Sequence, residues 1–112
     1  MRCLRLTHVN LRVADLAAAV RFYREILGLE QIARGERGGN GAWFRLGTAE
    51  VHLAEDTAPQ PASKRHFAVE VENLAEARQQ AQQKGAEIDR EEERRFFMRD
   101  PSGNRIEVVG KP

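Results

Sequence analysis

The chain has 112 residues, enough for one modest core, with 41% hydrophobic and 31% charged residues and a net charge of +1. Lys and Arg are interspersed with Asp and Glu, which excludes a basic footprint for nucleic acid. No apolar run approaches a membrane span or a secretory signal, so a cytoplasmic protein is expected, and the single cysteine, Cys3, excludes an internal disulfide framework.

The first element is a strand over "HVNLRV", in which Val9, Leu11 and Val13 alternate with His8, Asn10 and Arg12. Asp15 then caps a helix whose apolar positions Leu16, Ala19, Val20, Tyr23 and Leu27 recur at helical spacing, and Gly28 supplies its left-handed end. Three short strands follow, at about residues 30–34, 42–46 and 50–54, the first two joined by the loop "GERGGNG". Residues 56–65 read as a linker, with Pro59 and Pro61 favouring extended backbone.

The pattern then restarts. His8 falls on His66, Leu11 and Val13 on Val69 and Val71, and Asp15-Leu16-Ala17 on Asn73-Leu74-Ala75, at a constant offset of 58 residues. Phe67, Val69 and Val71 alternate with His66, Ala68 and Glu70. Asn73 caps a second helix, with Glu76 in capping-box position and Leu74, Ala77 and Ala81 as a thinner apolar stripe, and Gly85 closes it. Strands are expected at about 86–89, 95–99 and 105–109, with the Pro-Gly turn "DPSGN" before the last. The run "REEERR" reads as a solvated loop or strand edge, and Cys3 as a small buried or edge residue rather than a reactive thiol. The fold class is α+β: two βαβββ modules, about residues 1–55 and 66–112, within a single domain.

The last strands of the halves also align, so that His52 falls on Glu107. Val51 and Leu53 match Ile106 and Val108 and should pack on the helices, which turns His52 and Glu107 to the opposite, concave face with His8 and His66. A strand histidine standing alone is most often a packed or surface residue. Here all three histidines of the chain and one carboxylate occupy repeat-equivalent, inward positions. Neutral imidazoles with one carboxylate suit a divalent cation such as Zn, Ni, Fe(II) or Mn, so His8, His52, His66 and Glu107 are the expected metal ligands.

At these residues the sequence resembles the vicinal oxygen chelate superfamily, which includes glyoxalase I, extradiol dioxygenases, fosfomycin resistance proteins and bleomycin resistance protein. The likeness rests on "HVNLRVADLAAAVRFYREILGLE", "HFAVEVENL" and "FFMRDPSGNRIEVV" and covers nearly the whole chain, looking most similar to small glyoxalase-like proteins. It implies paired modules forming a U-shaped mixed sheet around a metal, with ligands on the first and last strand of each module. It also implies a homodimer, in some relatives with exchanged modules. Glyoxalase I has Glu or Gln where this chain has His52, and bleomycin-binding members lack the ligands, so no single activity of the family carries over.

The expected function is that of a small metal-dependent enzyme acting on an oxygen-chelating small molecule, as isomerase, lyase or dioxygenase. The alternative is a protein that binds an antibiotic or toxic molecule without turnover. Glu107, the only carboxylate of the set, is the candidate for proton transfer, while Asn10, Arg12 and Glu70 share the ligand face and are candidates for substrate contact. Arg45 and Arg99 read as solvated side chains rather than anion ligands, and Trp43, Phe44, Phe96 and Phe97 as core or pocket wall.

Overall fold

A computed structural model describes every residue except Glu36, so the expected "GERGGNG" loop lies outside the described residues at that position. The elements run β1 (His8–Val13), α1 (Leu16–Arg21) with a wider helical continuation (Phe22–Ile26), β2 (Glu30–Ile32), β3 (Gly41–Leu46) and β4 (Ala49–Glu55). There follow β5 (His66–Val71), α2 (Leu74–Gln83), β6 (Glu87–Glu91), β7 (Arg95–Arg99) and β8 (Arg105–Gly110). This is the βαβββ order twice over, an α+β fold. The chain divides into two compact units, Met1–Ala58 and Pro59–Pro112, with the boundary inside the expected linker.

Each unit holds one four-stranded mixed sheet, in the order β1-β4-β3-β2 in the first and β5-β8-β7-β6 in the second. The first and last strands of each unit pair in parallel, β1 with β4 and β5 with β8, because the crossover between them is long enough to reverse the chain twice. The remaining neighbours are antiparallel.

The alternation along the strands sorts their faces as expected. Val13, Phe44, Val51 and Leu53 are fully buried in the first unit, and Phe96, Met98, Ile106 and Val108 in the second. Each such side chain contributes about 1.5–3 kcal/mol by leaving water.

The first helix starts where the Asp15 carboxylate accepts the Ala18 N–H at 3.1 Å. Over Phe22–Ile26 it widens, so that the Leu27 N–H reaches the Phe22 carbonyl, five residues back, at 3.2 Å. The Leu29 N–H then bonds the Tyr23 carbonyl at 2.9 Å around Gly28, whose φ of +68° a side chain would disfavour. The widened turn buries two consecutive aromatics, Phe22 and Tyr23, where the 3.6-residue period predicts Tyr23 alone. Leu16, Val20 and Leu27 of the expected stripe are only half-buried.

In α2 the Asn73 side chain accepts the Glu76 N–H at 3.0 Å, but the Glu76 carboxylate takes the Gln80 amide at 3.2 Å rather than turning back on the cap. Ala81 is the one fully buried residue of this helix. Arg78 extends the cover, laying its guanidinium 5.6 Å from the centre of the Phe96 ring and donating to the Glu92 carbonyl at 2.9 Å.

Some expectations shift. Strand β2 ends at Ile32, two residues early. Cys3 is exposed rather than packed, because residues 1–7 precede the first strand. Of "REEERR", Arg90 and Glu91 belong to β6 and Arg95 opens β7, leaving residues 92–94 as the turn. No helix among the described residues is long and apolar enough to cross a membrane.

Candidate metal centre

In the first unit the central strand β4 carries His52 between β1 and β3, with Trp43 directly opposite on β3 and Asn10 opposite on β1. His8 lies diagonally, opposite Glu50. The His52 ring stacks on Trp43, with centres 3.8 Å apart and planes 1° from parallel. It also stacks on His8, at 4.2 Å and 17°. The Arg37 guanidinium lies 4.9 Å from the centre of the Trp43 ring. His52 is 8% exposed, and its Nε2 is 2.8 Å from Oε1 of Glu50, two residues back on the same face. The Nδ1 of His8 meets the Thr7 hydroxyl at 3.0 Å, which leaves its Nε2 without a partner among the described residues.

In the second unit β8 is the central strand. His66 Nδ1 faces the Lys64 carbonyl at 2.9 Å. A carbonyl only accepts, so Nδ1 carries a proton, and in the neutral ring this puts the lone pair on Nε2, the atom that could bind a metal. That Nε2 is 3.0 Å from Oε1 of Glu107. The other carboxylate oxygen, Oε2, accepts from Arg95 at 3.1 Å. The edge of the Phe97 ring meets His66 at 5.3 Å, and the Arg105 guanidinium covers Phe97 at 3.9 Å.

The His66–Glu107 geometry fits a metal. His66 Nε2 and Glu107 Oε1 stand at ordinary hydrogen-bond distance, 3.0 Å, an ion pair when the ring is protonated, and the same two atoms are near enough to share a divalent ion. Two donors at that separation, each about 2.1 Å from a common ion, subtend roughly a right angle, as neighbouring ligands do.

The four expected ligands thus stand as two pairs, one in each module. No group of three His, Cys, Asp or Glu side chains placed to hold one metal ion occurs among the described residues. Asn10 is exposed on the His8 face of β1, and Glu70 is exposed on the His66 face of β5. Arg12 is ion-paired with Asp56 at 3.0 Å. Arg45 sits 3.7 Å from Glu30 and is largely exposed, as expected.

Arg99 is not the solvated side chain expected. Its Nε donates to Asp89 at 2.7 Å, and its NH1 donates to the Ser63 and Gly103 carbonyls at 2.7 and 3.0 Å. Tying that many acceptors together keeps it only 17% exposed. Arg105 shares Asp89 at 3.3 Å, although its buried Nε lacks an aligned hydrogen bond.

Sequence reasoning passed over two residues, Glu50 and Arg95. Glu50 stands two residues from His52 on one strand face, and Arg95 two residues from Phe97, the cross-strand neighbour of Glu107. Alternation along β4 and β7 is the signal that could have found both, whereas Arg95 reads in the sequence only as part of the solvated run "REEERR".

Comparison with known proteins agrees with this architecture. Residues 5–108 match the profile of the Glyoxalase/Bleomycin resistance protein/Dioxygenase superfamily. The chain is 33% identical to glutathione transferase FosA of Serratia marcescens, over 92% of its own length and 78% of that protein. Its fold superposes on a protein of Bacillus anthracis described as a glyoxalase family member with a TM-score of 0.87 at 30% identity, each chain covered in full. It also superposes on the fosfomycin resistance protein FosX of Listeria monocytogenes, solved as an E126Q mutant with Mn(II) and 1S,2S-dihydroxypropylphosphonic acid. There the TM-score is 0.86 at 18% identity, over 99% of this chain and 95% of that one. With its doubled βαβββ architecture and a profile match over nearly its whole length, the chain belongs to the glyoxalase/bleomycin resistance protein/dioxygenase superfamily.

Proposed function

We propose that this chain is a metal-dependent enzyme acting on a small molecule through adjacent oxygen donors. The observation that carries the reading is the His66–Glu107 pair, whose Nε2 and Oε1 face each other at 3.0 Å while Nδ1 and Oε2 are held from behind by the Lys64 carbonyl and by Arg95. Ligands held by such outer partners are the mark of a built site. His8, with Nδ1 engaged by Thr7 and Nε2 without a partner among the described residues, is proposed as a further ligand. Two imidazoles and one carboxylate suit Zn, Ni, Fe(II) or Mn.

A divalent ion held there supplies Lewis acidity to a substrate oxygen and stabilises negative charge as it develops. His8, His66 and Glu107 are the residues that would hold such an ion, which would then bring a substrate oxygen beside them. Glu107, whose Oε1 faces His66 and whose Oε2 accepts from Arg95, is proposed both as a ligand and as the candidate for proton transfer. Phe97 and the Trp43–His52 stack give the ligands apolar neighbours, which lowers the local dielectric and strengthens the hold on charge. The relatedness to a glutathione transferase makes transfer of a thiol to a small electrophile one reaction class to assay, beside isomerase, lyase and dioxygenase chemistry.

The chain is further proposed to work as a homodimer. The sheets end on edge strands, β1 and β2 in the first unit and β5 and β6 in the second, and Met1, Leu4 and Leu6 are exposed ahead of β1.

The experiment is elemental analysis of protein purified without added metal, followed by substrate assays before and after chelation. A bound transition metal, with turnover lost on chelation and restored by the ion, supports the reading. Stoichiometric binding of small molecules without turnover favours sequestration instead, and failure to take up any of the four metals refutes the metal centre.

A further inference from the structure

We propose that His52 is a positioning residue that sets the ring plane of His8 by stacking, and is not itself a metal ligand. The inference rests on the metal centre proposed above and concerns only the first module.

Three observations carry it. An imidazole binds a metal through a lone pair lying in the plane of its ring, so one ion shared by two rings must lie in both planes. The rings of His8 and His52 have centres 4.2 Å apart and are inclined by 17°, so their planes meet on the order of 10 Å away, far beyond a metal–nitrogen bond of about 2.1 Å. In this arrangement the two cannot serve one ion. Second, His52 is held at its edge by Glu50, 2.8 Å from Nε2, and on its far face by Trp43, 3.8 Å away and parallel to within 1°. Third, it is 8% exposed, whereas His8 is exposed and has no partner at Nε2 among the described residues.

The three rings therefore form a column. Trp43 and Glu50 hold His52, and His52 offers a flat surface to His8. The Thr7 hydroxyl fixes Nδ1 of His8 at 3.0 Å, and the stack fixes the rotation about that contact. An exposed ligand otherwise free to turn is thereby held with Nε2 aimed in one direction.

Two substitutions separate stacking from ligation. His52→Phe keeps a flat ring and removes every donor. His52→Gln keeps an oxygen able to bind metal and removes the ring. Zn and Mn affinities of wild type and both variants are measured by buffered titration, with melting of the metal-free proteins confirming that each folds. Expected is a phenylalanine variant within about threefold of wild type and a glutamine variant weaker by about 10–100-fold, the usual cost of removing an outer support. The reverse order, or a phenylalanine variant as weak as the glutamine one, overturns the proposal. X-ray absorption of the wild-type protein loaded with Zn gives a reading that needs no variant: two coordinated imidazoles support the proposal and three overturn it. If wild-type protein binds neither ion, the metal centre itself is refuted. If it binds and the variants rank the other way, only the role given to His52 falls.

Discussion

Replacing His66 by alanine removes one of three ligands and should abolish most of the heat stabilisation that metal confers. A ligand that binds only the folded state, at about a hundredfold above its dissociation constant, adds about 2.7 kcal/mol. At about 2.1 cal/mol/K per residue, unfolding of this 112-residue chain has an entropy near 0.24 kcal/mol/K. Metal should therefore raise the melting temperature of the wild type by roughly 11 °C at that concentration. Losing His66 removes the nitrogen that stands 3.0 Å from Glu107 Oε1 and leaves that carboxylate without its ligand neighbour in the second unit. If affinity drops by about a hundredfold, the same free metal lies near the new dissociation constant and adds only about 0.4 kcal/mol, a rise of roughly 2 °C. The assay is differential scanning fluorimetry in metal-buffered solution, on wild type and His66→Ala. Equal metal-induced rises in both proteins would show that His66 is no ligand and refute the reasoning.

Phe44→Ala empties a site with no exposure at all beside the Tyr23 ring and should cost about 3–5 kcal/mol, read as a lower urea midpoint at unchanged slope. Gly41→Ala places a methyl group onto the Leu53 carbonyl oxygen and 2.7 Å from Nε of Arg34, so β3 must shift away from β4, at a cost of about 1–3 kcal/mol by the same measurement. Sedimentation at micromolar concentration should give a dimer, and a metal-loaded monomer would remove the proposed pairing of chains.

The doubled architecture was legible because each half carries the same signals in the same order: a period-two strand, an Asx cap, a helical stripe and a closing glycine. Strand boundaries from β3 onward came within a residue or two for the same reason, since Gly, Pro and Asx turn residues bracket them. The widened turn at Phe22–Ile26 was not legible. A 3.6-residue period has no place for two consecutive buried aromatics, and only packing against the sheet decides between them. At the site, the faces of His8, His52, His66 and Glu107 followed from alternation alone. Alternation says which face a side chain takes but not which way its ring is turned. Only the structure shows that each Nε2 meets a carboxylate, that of Glu50 for His52 and that of Glu107 for His66, and that the His52 ring lies stacked between Trp43 and His8. Arg99 was misread because its acceptors are two backbone carbonyls and one carboxylate drawn from three separate segments.

The shared strand order of the two units gives this protein an internal reference for measurement. Trp43 faces His52 in one sheet as Phe97 faces Glu107 in the other, and Phe44 faces Val51 as Met98 faces Ile106. A substitution in one half thus has a partner in the other, made in the same chain, in the same solvent and on the same backbone geometry. Differences within such pairs isolate what the surroundings contribute, free of the variation between proteins that clouds most comparisons of mutant energies. Asp15 and Asn73, two caps of different charge at equivalent helix starts, offer the simplest such pair, because the carboxylate should respond to added salt and the amide should not.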